Sequence, residues 1–310
     1  MNYSSLIIFL TNRCKAGCST CNIVAVPGNT GMLHPDDLDS IFNNSFLAGS
    51  AGKYILWTGG EPFESFSSLV YGIGLADRSG FRSEILTAGY WYDKERLHLT
   101  KLREAGNFSL RISIDPEHLK FTGIDILTLL ISECIEIGIE VNFTVREIND
   151  DQNIVSDFFD NVKRSFPEYY RRKQRDHRWI HHIPHVPVSK DDPYTDNSSE
   201  KYRNSGCRMA GRDLVIGWDG NIYPCCGLFS LPGFKKYALG NIRGTGPVEN
   251  KYTNSNKLFN LIREAGPDGL IGKFGSEEIN SEKYEFRNQC HACISQFRIY
   301  DKPIGKFLSG

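Results

Sequence analysis

Three cysteines stand close together near the start of the chain. Cys14, Cys18 and Cys21 follow a short apolar run and have the spacing Cys-x3-Cys-x2-Cys. Soft thiolates crowded on one loop favour iron and sulfur, or zinc, as the bound metal. Three protein ligands leave one metal position open, and an open position distinguishes reactive metal sites from structural ones. The spacing therefore predicts a reactive metal centre on the first loop.

A second group of cysteines lies in the last third of the sequence. Two single cysteines are followed, after a long gap, by a Cys-x2-Cys pair: Cys207, Cys225, Cys290 and Cys293. Four thiolates can close one 4Fe4S cluster without an open position. Paired cysteines across a long gap also describe zinc ribbons, so zinc stays open as the alternative metal. We predict a second, closed metal site.

One further cysteine, Cys226, belongs to neither ligand set. The Asp-Gly pair at 219–220 predicts a two-residue hairpin turn, and that register places Asp213 opposite Cys226 and Leu214 opposite Cys225. Side chains alternate along a strand, so Cys225 and Cys226 should face opposite ways. A carboxylate opposite Cys226 would favour S–H over thiolate, as a hydrogen-atom donor requires. The alternative is a buried structural cysteine beside a solvated aspartate.

The composition excludes some classes of partner. The 36 Lys and Arg residues nearly balance 37 Asp and Glu residues, giving a formal charge of -1, so we expect no nucleic-acid partner and no membrane. The basic, tyrosine-containing segment 163–178 could bind RNA or an acidic peptide, although a solvated helix end explains it more simply. Nine cysteines without a secretion signal indicate reduced thiols that bind metal. We therefore expect a cytoplasmic protein.

Strand-like and helix-like segments alternate over residues 1–186. The predicted strands are 6–10, 54–58, 83–87, 108–114, 139–145 and 179–186. Segments with helical periodicity are 36–47, 93–105, 124–137 and 154–166. This alternation predicts an α/β fold with βα units around a parallel sheet, as an open or closed barrel. Residues 187–206 form a polar connector, and at 207–310 turns multiply while helical periodicity weakens, which indicates a small second domain.

The first cysteine group and a later glycine pair together point to one family. The run Leu10-Thr11-Asn12-Arg13-Cys14 through Cys21, with Thr58-Gly59-Gly60-Glu61-Pro62 ending the second strand, resembles the radical S-adenosylmethionine superfamily. The resemblance covers residues 1–186 and implies a partial (β/α)6 barrel. It also implies that three cysteines hold three irons of a 4Fe4S cluster, while S-adenosylmethionine chelates the fourth iron.

The same resemblance implies a set of cofactor-binding residues at strand ends. Gly59 and Gly60 would let the backbone approach the methionyl amine, and Glu61 would support it. The remaining candidates lie at the carboxyl ends of later strands: Ser113, Asp115 and Arg146. All of them would lie on the carboxyl face, where βα barrels keep their chemistry. Thr20 departs from the pattern, because many members carry an aromatic residue against the adenine there.

The second cysteine group resembles the start of the SPASM extension of peptide-modifying members. Because no cysteine follows Cys293, the shorter Twitch form with one auxiliary 4Fe4S cluster fits better. The passage Asp219-Gly220-Asn221-Ile222-Tyr223-Pro224-Cys225-Cys226 is similar to one in the epipeptide epimerases, which convert L-residues of a ribosomal peptide into D-residues. That resemblance implies that Cys226, with Asp213 opposite, returns a hydrogen atom to the substrate.

We therefore predict a peptide epimerase that uses two 4Fe4S clusters and S-adenosylmethionine. In this hypothesis a 5′-deoxyadenosyl radical abstracts a substrate hydrogen, and a flavodoxin or ferredoxin supplies electrons. One alternative is a dehydrogenase or epimerase of an aminocyclitol or aminoglycoside. Another is a non-catalytic iron-sulfur or zinc-binding protein.

Overall fold

The computed structural model describes residues 3–44, 47, 49, 52–147, 152–176, 179–184, 207, 210–231, 233–244, 246–247, 249–275 and 289–310. Its strands are β1 (Ser5–Phe9), β2 (Tyr54–Thr58), β3 (Arg82–Thr87), β4 (Phe108–Ile114), β5 (Glu140–Glu147), β6 (Ile180–Pro184), β7 (Asp213–Ile216), β8 (Asn221–Tyr223), β9 (Gly240–Asn241) and β10 (Gly246–Pro247). They form one sheet in the order β10-β9-β8-β7-β1-β2-β3-β4-β5-β6.

The α-helices of the described residues connect these strands or follow them. They are α1 (Pro35–Asn43), α2 (Phe66–Arg78), α3 (Leu97–Ala105), α4 (Pro116–Thr122), α5 (Ile124–Glu136), α6 (Gln152–Ser165), α7 (Pro167–Lys173), α8 (Glu249–Ala265), α9 (Asp268–Phe274), α10 (Gln289–Ile299) and α11 (Asp301–Ser309). No described helix is both long enough and apolar enough to cross a membrane.

The first six strands pair in chain order, and every pair is parallel. Burial alternates strictly along β4, where one face buries Phe108, Leu110, Ile112 and Ile114. This apolar face of the sheet contributes to the larger core, together with the helices of the βα units. The opposite face carries the polar residues of the barrel interior. The predicted α/β fold with a partial six-stranded barrel is confirmed.

The sheet continues beyond the barrel into the carboxyl-terminal residues. β7 pairs in parallel with β1, with Asp213 beside Ser5, and β8 pairs antiparallel with β7. A second core covers the concave side of β1, where Ile7 and Phe9 pack with residues of β7, β8 and the last helices. The division between a domain at 1–186 and a domain at 207–310 stays a prediction, and the connector 187–206 lies outside the described residues.

Several helices were not expected from sequence. The helix α2 contains two glycines, and a Cβ on Gly72 would overlap the Trp57 ring, so packing rather than propensity explains that residue. Helical periodicity is weak in the sequence beyond residue 207, yet α8 to α11 occupy most of the described residues after 248. The buried face of α8 is narrow and consists of Ser255, Leu258, Phe259 and Ile262.

The β7–β8 hairpin differs by one residue from its predicted register. Val215 pairs with Tyr223, and Gly217 N donates to Asn221 O at 2.9 Å. The loop therefore has three residues rather than two, and Gly220 at its end has φ +77°, as a type I turn followed by a left-handed residue requires. The prediction that Asp213 stands opposite Cys226 in the ladder was wrong, because β8 ends at Tyr223 before the chain turns.

Candidate active site

The three cysteines of the first group line one cavity at the carboxyl end of the barrel strands. Cys14, Cys18 and Cys21 share this cavity with residues from the ends of β2 to β5: Thr58, Gly59, Gly60, Leu86, Thr87, Ala88, Ser113, His118 and Arg146. Burial, followed by the nearby Glu61 carboxylate, raises the pKa of Cys14 to about 12. A thiolate at this position therefore needs a cationic partner, and a thiolate-bound metal cluster fits the donor set.

The glycine pair after β2 docks against the cysteine loop. Gly60 N donates to Thr11 O at 2.6 Å, and Glu61 N donates to Arg13 O at 2.8 Å. A Cβ on Gly60 would overlap the Arg13 carbonyl, and one on Gly59 would overlap the Thr11 carbonyl. The glycines are thus required for contact between two loops, and their approach to a methionyl amine stays a prediction.

Glu61 is a buried carboxylate held by protein donors. It accepts hydrogen bonds from Thr87 Oγ1 and Ala88 N, each at 2.8 Å, and from Phe63 N at 3.3 Å. Burial raises its pKa to about 7 despite these donors. Glu61 therefore links the end of β2 to the end of β3. Its predicted contact with the cofactor stays untested, and it is not among the residues that line the cavity.

The first turn of α4 holds the cysteine loop from the other side. Glu117 accepts hydrogen bonds from Ser19 N at 3.0 Å, Ser19 Oγ at 2.6 Å and Thr20 Oγ1 at 2.5 Å. Arg146 Nη1 donates to Thr20 O at 2.8 Å. Thr20, which takes the expected adenine position, is fully buried between these partners. Sequence reasoning missed Glu117, although Asp115-Pro116 before it is a recognisable helix start.

Asp115 and His118 form a pair that reaches the middle cysteine. Asp115 Oδ1 caps α4 by accepting from His118 N at 3.0 Å, and its Oδ2 lies 2.7 Å from His118 Nδ1. The other ring nitrogen, Nε2, lies 3.7 Å from Cys18 Sγ. Burial opposes both charges, yet the pair lowers the pKa of Asp115 to about 2 and raises that of His118 to about 10. Asp115 thus has a protein partner, and its predicted cofactor contact stays untested.

The second cysteine group is brought together by three separate segments. The ligand candidates are partly buried against the second core: Cys207, Cys225, Cys290 and Cys293. Burial and the neighbouring thiols of Cys290 and Cys207 raise the pKa of Cys293 well above its ordinary value. Four neighbouring thiols match the donor set of an iron-sulfur cluster.

No group of three His, Cys, Asp or Glu side chains within the described ranges is close enough to hold a single metal ion. The thiolates of a 4Fe4S cluster bind different irons, so they need not converge on one point.

Cys226 is exposed, and its thiol lies near the thiols of this group. A hydrogen bond between the Cys225 and Cys226 side chains raises the pKa of Cys225 and lowers that of Cys226, while the Asp213 carboxylate opposes the latter shift. The Cys226 thiol also acts on Cys290. Cys225 packs against the second core and Cys226 is exposed at the start of a 3-10 turn, so their opposite facing stays a prediction. The predicted influence of Asp213 on Cys226 is present, without the cross-strand pairing.

Asp213 lies at the opposite end of the barrel interior from the first cysteine group. It starts β7 beside Ser5, whose Oγ donates to Asp213 Oδ1 at 2.5 Å. β1 rises about 3.3 Å per residue, so its length separates Asp213 from the cysteine loop by more than about 10 Å. Asp213 therefore lies apart from the cofactor-binding candidates, which were expected at the carboxyl face.

A second cavity, of about 450 Å³, occupies this amino-terminal end of the barrel interior. Its lining includes Asp213 and a buried polar network that sequence reasoning missed. Arg111 Nη2 lies 2.5 Å from Glu84 Oε2, Asn142 Nδ2 donates to Glu84 Oε1 at 2.8 Å, and the Tyr54 hydroxyl also donates to Glu84. The sequence contained a signal for this network, because polar residues occupy every second position of otherwise apolar strands.

Comparison with known proteins adds to this description. Residues 207–294 match the family model described as SPASM, an iron-sulfur cluster-binding domain. A Bacillus subtilis (strain 168) protein named for peptide biosynthesis, YydG, is 21% identical over 320 residues, covering 97% of this chain and 94% of YydG.

Among solved structures, native anSMEcpe with bound AdoMet and Kp18Cys peptide has a TM-score of 0.56 at 16% identity, covering 98% of this chain and 99% of that chain. Streptococcus suis SuiB bound to S-adenosylmethionine has a TM-score of 0.48 at 13% identity and covers 73% of this chain. This chain spans 61% of the length of SuiB. The fold is thus that of anSMEcpe, which was solved with bound AdoMet, and the part of the chain that matches the SPASM iron-sulfur cluster-binding model contains the second cysteine group.

Proposed function

We propose that this protein is a radical S-adenosylmethionine peptide epimerase in which Cys226 returns the hydrogen atom. The names of similar proteins support the substrate class, since YydG is named for peptide biosynthesis and anSMEcpe was solved with bound peptides. The observation that supports the proposal is that Asp213, whose carboxylate acts on the Cys226 thiol, lines the barrel interior at the end opposite the first cysteine group. Inversion of a carbon centre requires removal of hydrogen from one face and its return to the other.

Cys14, Cys18 and Cys21 would hold the first cluster at the carboxyl end of the barrel. When bound there, the cluster and S-adenosylmethionine supply a radical that abstracts a hydrogen atom from carbon. Gly59 and Gly60 keep the cysteine loop against β2, as their contacts with Thr11 and Arg13 require. Arg146 and Ser113 line the same cavity and are the side chains best placed to contact the methionyl or ribosyl groups.

Asp213 and Cys226 would act on the substrate from the side opposite the first cluster. If Cys225 binds the auxiliary cluster as a thiolate, it can no longer donate a proton in its hydrogen bond with Cys226. The remaining proton of the pair then stays on Cys226, where the Asp213 carboxylate also favours the neutral thiol. The S–H bond breaks as the new C–H bond forms, and Cys226 recovers its hydrogen by taking one proton and one electron from an external reductant.

A dehydrogenase is the second candidate, and the grouping of Cys226 with the four ligand cysteines favours it. Cys226 would then be a fifth thiol of a structural or electron-accepting site, with no substrate role. In that reaction the substrate carbon would lose a second electron and a proton after hydrogen abstraction. The cluster that could accept this electron would be held by Cys207, Cys225, Cys290 and Cys293.

The mass of the product distinguishes the two candidates. The reconstituted protein is incubated anaerobically in deuterated water with S-adenosylmethionine, dithionite and short peptides encoded beside its gene. An epimerase product gains one deuterium at one carbon and contains a D-residue, whereas a dehydrogenase product loses two hydrogens. Failure to form 5′-deoxyadenosine under any of these conditions would contradict both candidates and favour a non-catalytic metal protein.

A further inference from the structure

The imidazole of His118 bridges a buried carboxylate and a cysteine of the first group. Its Nδ1 lies 2.7 Å from Asp115 Oδ2, and its Nε2 lies 3.7 Å from Cys18 Sγ. The side chains of His118 and Asp115 are 13% and 3% exposed, so water competes little for either contact. Once Cys18 is a thiolate, both ring nitrogens face acceptors, and each can be satisfied only by an N–H donor.

We infer that His118 is a positioning residue for the first iron-sulfur cluster: its Nε2–H donates a hydrogen bond to the Cys18 thiolate, and Asp115 fixes the ring. This inference rests on the proposed assignment of Cys14, Cys18 and Cys21 to that cluster. The three cysteines and His118 line the same cavity, which places the imidazole beside the group that it would influence.

The backbone around His118 gives the ring little freedom. Asp115 both caps α4 and accepts from the ring, so turning the imidazole away from Cys18 would break a contact at the start of the helix. Glu117 holds Ser19 and Thr20, which follow Cys18 directly. The start of α4 is therefore joined to the cysteine loop by Glu117 as well as by the contact between His118 and Cys18.

A hydrogen bond to a ligating sulfur draws negative charge away from the cluster. Hydrogen bonds to sulfur and net charge are two of the factors that set the reduction potential of an iron-sulfur cluster. An imidazole N–H held by a carboxylate supplies such a hydrogen bond in a fixed orientation. Removing the donor should make the first cluster harder to reduce, and hence make cleavage of S-adenosylmethionine slower at a given reductant potential.

The test is an anaerobic redox titration of the reconstituted full chain, followed by EPR spectroscopy. Only the signal that changes on addition of S-adenosylmethionine is read, which separates the first cluster from the auxiliary one. In His118→Phe we expect the equilibrium constant for reduction of the first cluster to be tenfold less favourable. For one electron this corresponds to a midpoint potential lower by about 59 mV. His118→Gln retains an N–H donor on a more flexible side chain and should lie between this value and the wild type.

Glu117→Gln is the matched control, because it weakens the grip on Ser19 and Thr20 without removing the donor to sulfur. Its potential should not fall, because the change removes a negative charge and leaves the donor to sulfur in place. An unchanged potential in His118→Phe with full iron content would overturn the inference, as would an equal shift in Glu117→Gln. If His118→Phe does not retain iron, the midpoint potential of Asp115→Asn is measured instead. An unchanged potential in that variant overturns the inference. A wild-type protein without any S-adenosylmethionine-sensitive signal would refute the proposed function, which is a separate result.

Discussion

The backbone of Gly60 lies directly against the backbone of Arg13, and the next amide, Glu61 N, donates to the Arg13 carbonyl at 2.8 Å. This contact joins the loop after β2 to the loop that carries the first three cysteines. Any side chain at position 60 would have to displace the Arg13 carbonyl, which precedes Cys14 in the chain.

Gly60→Ala should therefore disturb the first metal site more than the addition of a single methyl group suggests. Overpacking of this kind costs about 1–3 kcal/mol in unfolding free energy, and the affected loop should lose part of its iron. Urea unfolding and iron analysis after anaerobic reconstitution measure both effects. Gly28→Ala is the control, since nothing lies within 4 Å of a Cβ there. Equal behaviour of the two variants would refute the proposed loop contact.

Iron content should separate the two cysteine groups. Two 4Fe4S clusters correspond to about eight irons per chain. Replacing Cys14, Cys18 and Cys21 together with alanine should leave about half of this iron and abolish formation of 5′-deoxyadenosine. A wild-type value near four irons, after complete reconstitution, would argue against the auxiliary cluster.

Cys226→Ala tests the donor role directly. The variant should retain its iron, cleave S-adenosylmethionine and activate substrate, yet form little or no D-residue because the carbon radical lacks its hydrogen donor. Chiral amino-acid analysis of the peptide and 5′-deoxyadenosine measurement give the two readouts. Epimerisation at the wild-type rate would exclude the donor role, and loss of about four irons would make Cys226 a ligand, as its hydrogen bond with Cys225 allows.

Asp213→Asn should slow epimerisation less than Cys226→Ala does. Asparagine retains an oxygen that can accept from Ser5 Oγ but removes the negative charge that acts on Cys226. Ser5→Ala is the matched control, since it removes the hydrogen bond and keeps the charge. Single-turnover rates of epimerisation with the same peptide distinguish the effect of the charge from that of the hydrogen bond. A larger loss of rate in Ser5→Ala would show that hydrogen bonding at Asp213 matters more than its charge.

An ion pair between distant parts of the chain should make stability depend on pH. Arg243 Nε lies 2.6 Å from Asp37 Oδ1 on α1, and Arg243 Nη2 lies 2.9 Å from Oδ2. The hydrogen bond with Arg243, opposed by burial, lowers the pKa of Asp37 below 3.8. A carboxyl group with a lowered pKa stabilises the fold above its unfolded pKa, and this contribution is lost as pH falls through the folded value.

Arg243→Gln should therefore cost about 1 kcal/mol of unfolding free energy near neutral pH, with a smaller difference near pH 3. Urea unfolding of both proteins at the two pH values measures the change. Lys235→Gln serves as the control, because Lys235 is 66% exposed and lies 3.8 Å from Asp219. A difference between wild type and Arg243→Gln that does not vary with pH would contradict the role of the Asp37 charge.

The sequence alone was sufficient to predict the barrel and its first cysteine loop. Periodicity and strand-like runs located β2 and β4 with the bounds that the structure has, because burial on one face of a parallel sheet imposes local patterns. Cys14, Cys18 and Cys21 sit on one loop, so their proximity follows from spacing alone. The SPASM match over 207–294 likewise agrees with the resemblance drawn from cysteines in that segment.

Tertiary structure decided the relationships between residues that lie far apart in the chain. The contact of His118 with Cys18, and the gathering of Cys207, Cys225, Cys290 and Cys293, depend on how separate segments pack, which no local pattern encodes. The surroundings of Cys226 were likewise decided by the tertiary structure. The ladder ends at Tyr223, so strand alternation no longer sets the direction of the side chains that follow, and the 3-10 turn that begins at Cys226 brings its thiol near Cys225.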